Sequence, residues 1–430
     1  MTKNYARTLQ RANFSYGLPP CYCFDDHGRL FMNNPPPSSA TSPRRWFEGL
    51  NGLRAIAALL IVVDHSAESS GLTFHSDFWG PYLARLDIGV SIFFALSGLL
   101  LFYPFVMAQL THGNTPAAAP FLFRRFVRIY PGYWIALLIV LPLGLSDPVR
   151  GTVGHLMTFG LVHTYSRDPG RVFSGITQSW SLVTEIGFYL ALPFLAWVGR
   201  RLGKKHSLDQ QAVRLLLWCS MLAFSSLIFR VVMFKVSKFG IGTWGSISVA
   251  WTPSYLDLFA AGMGLSVLSA WSAVNPSVGE RLSQIAQRTW IWWSLAALLF
   301  WAMCSQLPLA KGLFRASFEL EVLRQSIYGL IGICLIVPIV FARPRSTPFL
   351  RFLDSRVMDY LGIVSYGIYL WHKAFIYVAH NVFDWPELTG NFWVILAFST
   401  FGSIAAAGLS HRLVEDPLTK MGKRFLQRSP

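Results

Sequence analysis

Between residues 50 and 411 the chain returns repeatedly to apolar runs of 17 to 24 residues, and this recurrence limits the possible folds more than any other feature. A helix needs about 17–25 apolar residues to cross the hydrocarbon of a bilayer, and it bonds its own backbone as it does so. Ten such runs are expected to span: 52–68, 87–107, 131–147, 179–199, 212–233, 248–270, 289–306, 322–341, 357–380 and 391–411. Only 13% of the residues are charged and 53% are hydrophobic, whereas a soluble domain carries about 25% charge. The missing polar surface implies lipid. The expected fold is therefore all-α, a polytopic membrane protein with about ten transmembrane helices around a central cavity.

Alternating the ten spans from an inner N-terminus puts 24 Lys and Arg on one side, 8 on the other and 5 within spans. The positive-inside rule then predicts both termini in the cytoplasm. The net charge of +16 reads as a topology signal. Its basic residues are spread over loops, which argues against nucleic acid as a partner. Residues 1–45, with the run PPPSS and no helical periodicity, read as a disordered cytoplasmic tail without the apolar core of a signal peptide. Residues 46–420 form the membrane domain, and 421–430 a second cytoplasmic tail. Cys219, Cys304 and Cys334 fall in spans as small apolar fillers, and Cys21 with Cys23 lacks the second ligand pair of a structural zinc site, so no metal is expected.

Ionisable groups inside spans mark function, because lipid penalises them unless they face a cavity or a partner. Arg54 and His65 stand eleven residues apart on the first span, about three turns plus 20°, so both leave one face with roughly 16 Å of rise between them. The other reading is an interfacial arginine and an internally bonded histidine. Asp64 points about 100° away from His65 and need not share its site. In FLFRRFVRIYP, Arg124 and Arg125 precede Arg128, and Arg125 with Arg128 meets on one helical face. Such a pair is either a positive-inside anchor or a two-pronged seat for phosphate, which guanidinium forks match.

Glu185 lies a turn or two inside the fourth span in WSLVTEIGFY, after Trp180 and Ser181, and demands a partner. Asp257 in the sixth span has no partner legible in the sequence, and Arg230 in the fifth reads as snorkelling to the interface. Ser97 and Gly98 in FFALSGLL are small enough to let a neighbouring backbone come close. Ser365, Tyr369 and His372 share one face of the ninth span, where they line a cavity or join helices.

Six motifs in order (Arg54 with His65, FFALSGLL, RRFVRIYP, WSLVTEIGFY, SYGIYLWH and the closing EDP of 415–417) resemble the acyltransferase 3 family of membrane acyltransferases. The resemblance covers residues 46 to 420. It implies transfer of an acyl group, commonly acetyl, from a cytoplasmic coenzyme A thioester to a hydroxyl of a carbohydrate or other cell-envelope acceptor such as an exopolysaccharide. Acetyl-CoA or another acyl-CoA would be the co-substrate. His65 would act as base or as covalent carrier, with Glu185 orienting it or the acceptor. Arg54, Arg125 and Arg128, with Arg124 beside them, would hold the phosphates. Ser97, Tyr369 and His372 are the candidate oxyanion donors, and Trp180, Ser181, Asp257 and Ser365 join them as candidate cavity-lining residues. The competing reading is a secondary transporter of a sugar or lipid-linked glycan, in which Glu185 and Asp257 would couple transport, although no repeat relating the two halves is evident.

Overall fold

The computed structural model describes residues 21–24, 30–33, 49–203, 206–238, 247–309, 311, 317–343 and 347–428. Ten long helices dominate it: α1 Leu50–Ser69, α2 Ile88–Leu110, α3 Ala118–Val140, α4 Trp180–Gly203, α5 Leu208–Lys238, α6 Leu256–Val274, α7 Thr289–Gln306, α8 Phe318–Phe341, α9 Ser365–Phe383 and α10 Phe392–Ser410. Each overlaps one of the ten expected spans, so the all-α polytopic architecture stands. Seven helical stretches are long and apolar enough to cross a membrane on length and composition alone. The other three, α3, α7 and α9, are diluted by three arginines, by four tryptophans, and by histidines with a lysine. The chain is a multi-pass membrane protein.

Two boundaries differ from expectation. α3 begins at Ala118, thirteen residues before the expected span, and carries Pro131 in its middle, so the RRFVRIYP arginines lie on the same helix as the span, on the helical face expected for Arg125 and Arg128. The run 357–380 is split into a short helix, Arg356–Ile363, and α9. The break falls at Val364, and Gly362 in the last turn before it is pressed against the start of α1, where a Cβ would meet the Asn51 backbone. In the N-terminal region, Cys21–Phe24 pairs antiparallel with Leu30–Asn33, a hairpin the sequence did not suggest; the rest of the expected tail lies outside the described residues. At the other end a helix, Asp416–Arg428, continues through most of the expected C-terminal tail.

α2 is the core of the bundle. It is apolar all round, and 72% of its apolar window is buried, against 22% for α5 at the periphery, where Leu217, Met221 and Phe224 are left to face lipid. α2 and α6 touch backbone to backbone. A Cβ on Gly98 would lie 2.1 Å from the Phe259 carbonyl oxygen, and one on Gly262 only 1.8 Å from that of Ala95. The small-residue approach expected at Gly98 is this crossing. Phe259 of α6 stacks on Phe94 of α2 at 4.6 Å and on Phe188 of α4 at 4.1 Å, tying the three helices together. Cys219, Cys304 and Cys334 are buried free thiols within α5, α7 and α8.

Polar side chains inside the bundle are matched across helices. Asp257 of α6 accepts from Arg230 of α5 at 2.8 Å, from Gln325 of α8 at 2.7 Å, from Ser226 at 3.3 Å and from the Leu258 N–H at 3.0 Å. Arg230 is therefore an ion-pair partner and not a snorkelling residue, and Asp257 belongs to the scaffold. Arg324 of α8 pairs with Asp87 at 2.9 Å and with Glu321 at 2.7 Å, pinning α8 to the entrance of α2. In the segment between α3 and α4, burial holds the His163 imidazole down at about 4, so it stays neutral and its 3.3 Å contact with Ser179 is structural.

Candidate functional site

One cavity of about 380 Å³ enters the bundle from the end where α1 begins. Three guanidiniums line it: Arg54 from the second turn of α1, and Arg125 and Arg128 from the N-terminal half of α3. Arg124 does not line it. One step along α3 turns its side chain away, which corrects its expected place in the phosphate seat. Arg125 also lies 6.0 Å from the centre of the Tyr189 ring. Among the described residues no carboxylate lies within ion-pair distance of any of the three arginines, and Nε of Arg125 is buried with no bonding partner. Cations inside a membrane protein normally pair with a fixed anion. These three lack such a pair, although Glu185, Asp354, Asp359, Glu415 and Asp416 share the cavity wall, so the charge of the arginines is available to an anionic guest.

Glu185, the acid in their midst, is engaged elsewhere. Its Oε1 accepts from Ser97 of α2 and from Tyr189 one turn further along α4, both at 2.5 Å. Glu185 therefore fixes α4 against α2 on the cavity wall. The expectation that it orients His65 is not met, since its bonds are at the arginine end. Ser97 does line the cavity, but its hydroxyl is committed to Glu185.

The cavity ends at Phe93 and Tyr369, whose rings stand 6.3 Å apart. Tyr369 is held by its hydroxyl, which donates to the Gln178 carbonyl at 2.8 Å and accepts from Ser181 at 2.7 Å. Behind this floor, 5.9 Å from the Tyr369 ring, lies His372 of α9, and against it His65 of α1. Arg54 and His65 thus do not share the open cavity, as their common helical face suggests; a layer of one ring from each of α2 and α9 separates them. The expectation that His372 lines the cavity or serves as an oxyanion donor is replaced by its contact with His65.

That contact defines a proton arrangement. His372 is fully buried, and its Nδ1 lies 2.7 Å from the Tyr369 carbonyl oxygen, which can only accept. Nδ1 of neutral His372 therefore bears its hydrogen, and its Nε2 is an acceptor. Nδ1 of His65 lies 2.8 Å from that Nε2 and must donate to it. The hydrogen of neutral His65 is thereby placed on Nδ1, which leaves Nε2 with its lone pair. Asp64 is buried, with Oδ2 4.0 Å from His65 Nε2, too far for a hydrogen bond but near enough to stabilise positive charge there. The helical-wheel angle put it elsewhere, but its carboxylate swings back along the helix. The result is an imidazole oriented by a second imidazole, with a free basic nitrogen beside a carboxylate.

The remaining candidates are scaffold. Trp180 packs on Tyr255 at 5.4 Å and stays off the cavity wall, and the buried Ser365 hydroxyl donates to the Gly362 carbonyl at 2.8 Å. The sequence reading missed the opposite wall at the cavity mouth. Asn51 lines it and donates to Asp359 at 2.8 Å, and Tyr366 and Glu415 lie beside them. Glu415 reaches the cavity because α10 ends in a π turn, His411–Glu415. The only signal for it was the closing EDP, read there simply as a helix stop.

Comparison with known proteins gives the family. A family model described as an acyltransferase domain, that of acyltransferase 3, matches residues 47–412. YrhL of Bacillus subtilis (strain 168), named as a candidate peptidoglycan O-acetyltransferase, is 26% identical over 90% of this chain and 57% of its own length. The peptidoglycan O-acetyltransferase OatA of Listeria monocytogenes is 24% identical over 88% of this chain and 57% of its own. Nodulation protein 10 of Rhizobium leguminosarum bv. viciae is 24% identical over 79% of this chain and 84% of its own. The chain thus spans little more than half the length of the first two relatives. No solved structure matches it. With the model covering residues 47–412, from the arginine-lined entrance through the histidine pair to the π turn, this chain belongs to the acyltransferase 3 family.

Proposed function

We propose that the protein is a membrane O-acyltransferase that takes an acyl group, commonly acetyl, from coenzyme A and passes it to a hydroxyl of a carbohydrate acceptor on the other face of the bilayer. The observation that carries this reading is the set of three guanidiniums, Arg54, Arg125 and Arg128, that line one cavity with no carboxylate among the described residues within ion-pair distance, while acids that share the wall are bonded to other groups, Glu185 to Ser97 and Tyr189, Asp359 to Asn51 and Glu415 to Ser410. Coenzyme A brings a pyrophosphate and a ribose phosphate, and guanidinium forks bind such oxygens in bidentate geometry. With the nucleotide held there, the pantetheine arm points along the cavity toward Phe93 and Tyr369. A shift of these two rings brings the thioester to His65.

At His65, Nε2 has the lone pair that the chemistry needs. It takes the proton of an attacking hydroxyl, or attacks the thioester carbonyl itself and carries the acyl group. His372 holds the ring in the productive tautomer, and Asp64 stabilises the cation that either route creates. The relatives named as peptidoglycan O-acetyltransferases support a cell-envelope carbohydrate as acceptor, and the excess of Lys and Arg on one side supports an inner membrane with both termini cytoplasmic. A sugar transporter would have no use for a histidine pair sealed behind the floor of a cationic cavity.

The test is equilibrium binding of acetyl-coenzyme A to the purified protein in nanodiscs. Wild type should bind, and Arg125→Ala with Arg128→Ala should weaken binding by on the order of tenfold or more each, the usual loss for a charge-assisted hydrogen bond. Equal binding by wild type and the double variant would remove the arginines from donor recognition.

A further inference from the structure

We infer that Ser69 is a second acyl-carrying nucleophile, activated by His380, that receives the acyl group from His65 and presents it at the far end of α1. The inference rests on the proposed function. Ser69 is the last residue of α1, at the end opposite Arg54, and its hydroxyl lies 2.7 Å from Nε2 of His380 in the last turn of α9. Nδ1 of His380 lies 3.1 Å from the Trp385 carbonyl oxygen, which can only accept. Neutral His380 thus bears its hydrogen on Nδ1, and Nε2 is left to accept from Ser69. A hydroxyl aimed at a basic imidazole nitrogen whose other nitrogen is tied down is the arrangement of an activated serine nucleophile.

Three features set this pair apart from a helix-joining hydrogen bond. Ser69 follows His65 by four residues, so it lies one turn further along the same face of α1, about 6 Å of rise away. His372 and His380 both belong to α9, so the two contacts lie in succession along a single seam between α1 and α9. Ser69 and His380 are also partly exposed, whereas the other serine–histidine contact among the described residues, Ser179 with His163, is fully buried and longer at 3.3 Å. The cavity brings donor from the Arg54 end, and this pair faces the end where an acceptor hydroxyl would arrive.

The steps balance. Nε2 of His65 attacks the thioester carbonyl, the C–S bond breaks, and the coenzyme A thiolate leaves and takes a proton from water. Ser69 Oγ then attacks the acyl carbon while its proton passes to Nε2 of His380. The C–N bond breaks, its electron pair returns to His65, and His380 releases its proton to water. An acceptor hydroxyl attacks the serine ester, His380 takes that proton, and the collapse returns it to Ser69 as the acyl product leaves.

The test uses the full chain in nanodiscs with acetyl-coenzyme A and no acceptor. Thiol release is followed in parallel with peptide mass mapping after rapid acid quench. An acetyl ester on Ser69 is expected, removed by alkaline hydroxylamine, absent in Ser69→Ala and His65→Ala, retained in Ser69→Thr, and formed about a hundredfold more slowly in His380→Gln, as loss of a general base requires. A first turnover of thiol release that persists in Ser69→Ala shows that this variant is folded and still takes donor. Thiol release in wild type with no ester on Ser69, or an ester formed equally fast in His380→Gln, overturns this inference alone. No thiol release in wild type overturns the donor reading and this inference with it.

Discussion

At the scale of the residue, the account turns on which atoms carry hydrogens. His65→Ala removes the free Nε2 and should lower acyl transfer by about 10²- to 10⁴-fold, the usual contribution of a positioned base, while binding of acetyl-coenzyme A stays within a factor of two or so. His372→Phe keeps the volume but removes the acceptor of the His65 Nδ1 hydrogen, so the imidazole is free to take the wrong tautomer. It should lower kcat with little change in KM for the donor, and radiolabel transfer at several donor concentrations separates the two. Equal loss in both parameters would mean that His372 only fills space. Arg54, His65, Arg125 and Arg128 could be singled out in the sequence because a charge in an apolar run is conspicuous. The pairing of His65 with His372 could not, since it joins residues 307 positions apart and depends on how α1 meets α9. Glu185 was conspicuous for the same reason, but its partners Ser97 and Tyr189 look unremarkable until α2 and α4 are packed.

At the scale of the element, hydrophobic length revealed all ten helices, while polar residues blurred their limits. Three arginines before Pro131 put the first half of α3 outside the expected span, yet two of them, Arg125 and Arg128, line the cavity on the same continuous helix. The split before α9 was hidden because 357–380 reads as one apolar run, and the need for a glycine at 362 is explained only by its contact with Asn51, far away in sequence. Two element-level predictions follow from packing. Gly262→Val places side-chain atoms where the Ala95 carbonyl already stands, 1.8 Å from the new Cβ, and should cost about 3 kcal/mol or more by forcing α2 from α6. Loss of folded yield and a lower melting temperature in detergent would register it, and wild-type stability would contradict the close crossing. Arg230→Ala leaves Asp257 without its guanidinium at the junction of α5, α6 and α8, and should destabilise by about 3 kcal/mol, as removing one partner of a buried pair does. Because this pair lies off the cavity, protein that does fold should bind acetyl-coenzyme A as wild type does.

At the scale of the whole molecule, the proposed topology has all ten long helices among the described residues crossing, which would return the chain to the side from which α1 starts, so reporters fused at the two ends should give the same, cytoplasmic, response. A cysteine placed at the Arg54 end of α1 and one placed near Ser69 should react with a membrane-impermeant thiol reagent from opposite faces. The bundle then joins an entrance lined with cations on one face to a histidine near the other, with Phe93 and Tyr369 between them. The measurement that tests this most directly is single-turnover release of coenzyme A thiol from acetyl-coenzyme A by wild type and His65→Ala, each shown beforehand to bind the donor. The account predicts thiol release by wild type and none above background by His65→Ala at equal occupancy. Release by His65→Ala at the wild-type rate would contradict it.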